Sequence, residues 1–229
     1  MFERLQQLPL FQGLTIKELS EIIEWMKLDF NQVAEGTRIV SQGDKCNSLI
    51  YIISGVVCST LNAHDNKIVL TETHDAPFVL EPYNLYGMTQ NYECSYSMLT
   101  NGSTFVIKKN VVNLLMMKFQ IIRTNMLNIT CSRLQRVVNE NRDFITQNIR
   151  EKIFRVVCAL SSTKKGPKHI KVKMEDLADM IGETRLNVSK ELNSMNNEGI
   201  VKIKRGEFII ENLNNFHRYR FQSSRPESR

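Results

Sequence analysis

Residues 174–198, MEDLADMIGETRLNVSKELNSMNNE, constrain the fold more than any other stretch of the chain. Leu177, Ala178 and Ile181 make one helical stripe, and Val188, Leu192 and Met195 repeat at i, i+4 and i+7 to make a second. Gly182 lies between them and can take the positive φ that a three- or four-residue turn needs, while Thr184 is placed to cap the second helix. Ala178 is small enough to let two helices cross closely, so the stretch reads as a helix-turn-helix. At about 100° per residue, the face opposite the second stripe carries Leu186, Lys190, Asn193 and Asn197, with Arg185 and Ser189 on one flank and Asn187 on the other. The segment that follows it, Gly199 through Ile203, the turn Lys204-Arg205-Gly206-Glu207, then Phe208 to Ile210, has the pattern of a β-hairpin with a basic tip. A helix-turn-helix followed by such a hairpin is a winged helix, which places its second helix in the major groove and its wing on phosphates.

Charge follows the same division. Residues 1–110 hold 8 Lys and Arg against 12 Asp and Glu, net −4, while residues 111–229 hold 22 against 12, net +10. The basic half contains the helix-turn-helix, and neutralising phosphates supplies most non-specific affinity for DNA. At 229 residues the chain can bury one large core or two modest ones, and the charge asymmetry argues for two. The acidic half opens with an amphipathic segment, 16–26, in which Leu19, Ile22, Ile23 and Met26 share a face. Beyond it the apolar period changes to two, in short runs at 37–40, 49–54, 56–61, 67–73, 96–100 and 104–108 separated by Gly, Asn and Asp, the pattern of a small antiparallel barrel or roll.

Residues 110–145 read as one long helix with two apolar stripes about 90° apart. Leu115, Phe119, Ile122, Met126, Ile129, Val137 and Phe144 form one, and Met116, Leu127, Leu134, Val138 and Ile145 the other. One stripe can cover the roll and the other can pair with its counterpart in a second subunit. The expectation is a dimer seam through Phe119, Ile122, Met126 and Ile129. The domains expected are a β-roll sensor at 1–109, a dimerisation helix at 110–145 and a winged helix at 146–229, an α+β chain.

Several function classes find no support in the residues. No run approaches the roughly 18 apolar residues of a membrane span, and the start, MFERLQQLPLF, lacks a basic region followed by an apolar one, so a cytoplasmic protein without membrane contact is expected. Cys46, Cys58, Cys94, Cys131 and Cys158 are scattered without a CxxC pair, and His64, His74, His169 and His217 lack ligand spacing, so no metal site is expected. With no phosphate loop, nucleophile elbow or paired carboxylates, no enzyme and no catalytic residue are expected, and no cofactor is named by the residues.

The order of these motifs, Gln42-Gly43-Asp44, Leu49-Ile50-Tyr51-Ile52-Ile53-Ser54-Gly55, a long helix, and a winged helix with Gly182, Arg185, Val188 and Leu192, resembles the Crp/Fnr family of bacterial transcription regulators over about residues 8–211. The resemblance implies a cyclic-nucleotide-binding-like β-roll and a homodimer on a pseudo-palindromic operator in double-stranded DNA. It also implies contact with RNA polymerase. Arg185, Leu186, Asn187, Ser189, Lys190, Asn193, Lys204 and Arg205 are the expected DNA-binding residues. Most members carry glutamate where Leu186 stands, which implies a different operator. In cyclic-AMP-binding members a Gly-Glu pair and an Arg-Ser pair hold the phosphate and a Thr-Ser pair meets the adenine. The corresponding positions here are Leu80-Glu81, Cys94-Ser95 and Val137-Val138. An effector pocket lined by these residues and Tyr83 is therefore expected to take something other than cyclic AMP. Cys94 is open to two readings, a redox-sensing thiol or a small buried hydrophobe. An alternative for the whole chain is a ligand-binding or scaffold module using its helix-turn-helix for protein contact.

Overall fold

The computed structural model describes residues 5–26, 30–142 and 148–213. They form two compact units: the described residues up to Ser59 with His74–Val137, and Thr60–Thr73 with the described residues from Val138 onward. Residues 60–73, expected within the sensor segment 1–109, thus belong to the second unit.

The first unit opens with helix α1 (Ile16–Met26), whose Leu19 and Ile22 are buried. Strands β1 (Phe30–Val33), β2 (Arg38–Val40), β3 (Ser48–Ser54), β4 (Val56–Ala63), β5 (Ile68–Asp75), β6 (Phe78–Val79), β7 (Ser95–Met98) and β8 (Gly102–Lys108) follow in the chain, of which the end of β4 from Thr60 and β5 up to Thr73 belong to the second unit. One sheet has the order β1-β8-β3-β6, and β2, β7, β4 and β5 are consecutive in a second. The inner residues make a roll core: Tyr51 stacks on Phe105 with ring centroids 5.9 Å apart, Phe11 lies 6.4 Å from Tyr51, and His74 stacks on Phe78 at 4.2 Å. Gly102 is required where β8 begins, because a Cβ there would lie 2.2 Å from the Ser54 carbonyl oxygen. Two strands carry no alternating signal in the sequence: β1 is four residues long with polar residues at its centre, and β6 has only two residues.

The expected single helix over 110–145 is two helices, α2 (Lys109–Lys118) and α3 (Gln120–Arg142). Phe119 breaks it with an extended backbone (φ −115°, ψ 107°), its N–H donating to the Leu115 carbonyl while its ring is buried. The seam expectation needs correction. Phe119, Ile122 and Met126 are buried within their own chain and Ile129 is half-buried, so this stripe is turned inward, on a helix that Asn125 ties to the Leu10 and Gln12 carbonyls. The other stripe is open: Leu127 is 58% and Leu134 62% exposed, and Val138 is exposed with them. Phe144 and Ile145 lie outside the described residues.

The second unit contains α4 (Ile149–Leu160), β9 (Lys168–Val172), α5 (Met174–Ile181), α6 (Arg185–Asn197), β10 (Val201–Lys204) and β11 (Glu207–Ile210). Its sheet runs β10-β11-β9-β5, so the strand from the β4–β5 hairpin extends the wing. Ile68 pairs with Val172, Leu70 with Ile170 and Glu72 with Lys168, all antiparallel. The Lys168 ammonium lies 2.9 Å from the Glu72 carboxylate with both side chains buried, and the Ser162 N–H donates to the same carboxylate at 2.8 Å. Burial by itself would raise the Glu72 pKa, but Lys168 and Ser162 hold it below the ordinary carboxylate value. The core gathers Ile68 and Leu70 with Phe154, Ile170, Leu177, Val188, Leu192 and Phe208. Among the described residues no helix is long and apolar enough to cross a membrane, and no cluster of His, Cys, Asp or Glu could hold a metal ion.

Candidate nucleic-acid interface

Both expected stripes are buried. Leu177, Ala178 and Ile181 on α5 meet Val188, Leu192 and Met195 on α6 in one core. Gly182 ends α5 in the left-handed conformation (φ 65°, ψ 45°), and the Glu183 N–H reaches back to the Ala178 carbonyl at 3.0 Å, closing the helix with the hydrogen bond of a Schellman turn. The Thr184 hydroxyl accepts from the Asn187 N–H at 3.2 Å and starts α6.

Burying that stripe turns the opposite face of α6 outward. Arg185, Leu186, Asn187, Lys190 and Asn193 are exposed, Leu186 at 62%, and Ser189 is half-buried on the flank. A leucine this open on a polar helix face gains little from burial in its own chain. Arg185 faces Glu175 across 3.7 Å, with both side chains 69% exposed, a pairing that water screens and that yields readily to a better partner. The hairpin β10–β11 carries Lys204 and Arg205, both exposed, at its turn. The Asn196 side-chain oxygen accepts from the Ile203 N–H at 3.0 Å, tying the end of α6 to the first strand of this wing.

The residues that hold α6 in place were not legible in the sequence. Arg150 on α4 donates through Nε to Glu191 at 2.7 Å and through both terminal nitrogens to Glu198, fastening α4 to the far end of α6. Lys152 on α4 reaches Glu183 in the turn at 2.6 Å. Helix α4 itself starts at Asn148, whose side chain accepts from the Glu151 N–H at 2.8 Å. Charged residues spaced 31 to 48 positions apart carry no periodic signal, so only the fold pairs them.

Residues 151–219 match the family model of the Crp-like helix-turn-helix domain. The second unit therefore carries a Crp-like helix-turn-helix. The chain as a whole has the fold of the Crp/Fnr regulators. It superposes on the catabolite activator protein of Thermus thermophilus with a TM-score of 0.55 at 18% identity, covering 94% of this chain and 99% of that one. A Eubacterium rectale protein assigned to the Crp/Fnr family as a transcriptional regulator gives 0.52 at 16% identity, covering 92% and 97%. By sequence, no curated protein matches the chain.

In the first unit of this Crp/Fnr fold the expected pocket residues are only partly gathered. Leu80, Glu81 and Cys94 are buried together. The Glu81 carboxylate accepts from the backbone N–H groups of Glu93 (2.6 Å) and Cys94 (2.9 Å), from the Asn84 amide (2.8 Å) and from the Tyr96 hydroxyl (3.1 Å). Burial pushes its pKa up despite these four donors. Glu81 holds this position in a left-handed backbone conformation (φ 36°), uncommon for a residue with a side chain. The Ser95 hydroxyl accepts from the Gln42 N–H at 2.9 Å, away from that cluster. Val137 and Val138 are exposed on α3. Tyr83 is half-buried, and the guanidinium of Arg133 on α3 lies over its ring, 5.1 Å from the centroid.

Proposed function

We propose that the chain is a sequence-specific DNA-binding regulator of transcription that acts as a homodimer on a pseudo-palindromic operator. The observation that carries this reading is the outward face of α6, where Arg185, Leu186, Asn187, Lys190 and Asn193 stand exposed beside the basic turn of β10–β11 in a Crp-like helix-turn-helix. Arg185 is suited to a bidentate contact with a guanine edge and Leu186 to a thymine methyl, while Lys204 and Arg205 suit phosphates. The homodimer seam belongs to the open stripe of α3. Leu127, Cys131, Leu134 and Val138 follow one another at spacings of four, three and four residues, the a/d pattern of a coiled coil, and all are exposed. A protein without enzymatic activity, placed in the cytoplasm and touching RNA polymerase, fits this reading.

The roll is assigned an effector other than cyclic AMP. The two adjacent amides that could receive a phosphate, at Glu93 and Cys94, are already taken by the Glu81 carboxylate. A cyclic phosphate brought there would face a second negative charge. The experiment that tests the central reading is selection of binding sites from random DNA, followed by titration of the selected site at several salt concentrations. Enrichment of a two-fold symmetric site with a steep loss of affinity as salt rises is the expected result. A salt-independent protein complex and no enriched DNA would favour a scaffold role instead.

A further inference from the structure

We infer that the turn of the β4–β5 hairpin is a second wing, which binds the DNA backbone on the side of α5 away from the β10–β11 turn. This rests on the reading of α6 as a DNA-recognition helix. The register places both turns at one end of one sheet. Lys171 near the end of β9 is paired with Val69 on one side and with Glu207 on the other. Strand β5 starts just before Val69 and β11 at Glu207, so the turn at residues 64–67 and the turn at Arg205-Gly206 flank the end of β9, where the chain passes into α5. The hairpin turn is sharply formed: His64, Asp65 and Asn66 all have positive φ, and the Lys67 N–H donates to the His64 carbonyl at 3.1 Å.

Between the two turns lies a cleft of about 560 Å³. It is lined by Asn66, Lys67 and Val69 of the hairpin, Gly206 of the β10–β11 turn, the segment from Lys171 to Glu175 between them, and Arg185. Four cations, Lys67, Lys171, Lys173 and Arg185, meet one carboxylate, Glu175, and all five of these side chains belong to exposed residues. On the other side of the hairpin turn, Asp176 lies 3.8 Å from the Lys67 ammonium, which positions that lysine without covering it, since its side chain is 58% exposed. The chemistry selected is a polyanion with spaced phosphates. A duplex entered by α6 at Arg185 must carry its own backbone past this cleft, because Arg185 belongs both to the recognition face and to the cleft wall. Phosphate contacts fix register and raise affinity without reading sequence.

The test uses the full-length protein, its selected operator and an unrelated duplex of equal length, with affinity measured across salt concentrations. Lys67→Ala and Lys173→Ala are each expected to flatten the slope of log K against log salt by about 0.9 for every phosphate that is no longer neutralised, equally on both duplexes. Lys67→Arg should restore the slope, and Lys45→Ala, an exposed lysine of the roll, should leave it unchanged. Because Lys67 also faces Asp176, a second variant leaves it in place: Asn66→Asp puts a negative charge on the turn in a residue type that tolerates positive φ, and should weaken both duplexes several-fold. Hydroxyl-radical footprints of the wild type should show protected sugars that the Lys67→Ala protein leaves open. Unchanged slopes and footprints in the Lys67 and Lys173 variants, with Lys204→Ala still flattening the slope, would overturn the second wing and leave the DNA reading standing. Failure of the wild type to bind any duplex would overturn both.

Discussion

Arg150 grips Glu198 with two parallel hydrogen bonds, Nη1 to Oε2 at 2.8 Å and Nη2 to Oε1 at 2.6 Å, while its Nε is bound to Glu191. The planar guanidinium can reach two carboxylates seven residues apart toward the end of α6, Glu191 and Glu198, which the point charge of a lysine does not do with the same fork geometry. Arg150→Ala is expected to destabilise the second unit by about 1 kcal/mol, the value of charge-assisted bonds discounted for the exposure of Glu198. It should also weaken operator binding although Arg150 lies on α4, since α6 loses its support. The hydrogen bond to Arg150 lowers the Glu198 pKa. This stabilisation is therefore complete above the unfolded carboxylate pKa of about 4.3 and disappears as pH falls through the lower folded value. Urea denaturation of both proteins from pH 7 to pH 3 should show their stability difference closing at the acid end.

The buried pair Glu72 and Lys168 should behave differently from surface pairs. Lys168→Met leaves a carboxylate buried without its cation and is expected to cost about 3–5 kcal/mol, whereas Glu72→Gln with Lys168→Met together should cost much less. Chemical denaturation of the single and double variants measures this. Equal losses in both would mean that the pair contributes by packing alone.

Leu134→Glu is expected to convert the dimer to a folded monomer, because it places a charge on the open stripe of α3. Met126→Glu should instead unfold the first unit, since Met126 is buried in its own chain. Sedimentation velocity and circular dichroism of the two variants separate the outcomes. A folded monomer from Met126→Glu together with an intact dimer from Leu134→Glu would return the seam to the buried stripe.

At the recognition face, Arg185→Ala should cost about 1–3 kcal/mol in operator affinity and relax preference at a single base position. Lys204→Ala and Arg205→Ala should weaken all duplexes alike. Leu186 predicts a half-site different from that of relatives with glutamate there, and site selection with Leu186→Glu should shift the recovered sequence. Recovery of the same half-site from both proteins would remove Leu186 from the readout.

Titration calorimetry of the ligand-free protein with cyclic AMP should give no saturable heat at micromolar concentrations, because Glu81 already occupies the amides of Glu93 and Cys94. Saturable binding would show that the Arg133 guanidinium over Tyr83 can compensate for the missing arginine at Cys94.

What could be read directly from the sequence was local. The i, i+4, i+7 spacing of Val188, Leu192 and Met195, the turn at Gly182 and the cap at Thr184 are each set within one or two helical turns, so the helix-turn-helix and the outward face of α6 follow from neighbours in the chain. The alternating runs of the roll are legible for the same reason. Periodicity places Met126 and Leu134 on different stripes of α3 but does not say which stripe meets the roll, and the tertiary structure buries the first and leaves the second open. It also breaks the helix at Phe119, because burying that ring outweighs the helical preference of its neighbours. The pairing of β5 with β9 joins residues about a hundred positions apart, and β9, Lys168-His169-Ile170-Lys171-Val172, hides its first lysine against Glu72. A lysine spends its charge on water in any local reading. Only a partner brought by the fold makes its burial favourable, and the cation row of Lys67, Lys171 and Lys173 exists for the same reason: strand pairing between distant segments, not sequence spacing, sets them side by side.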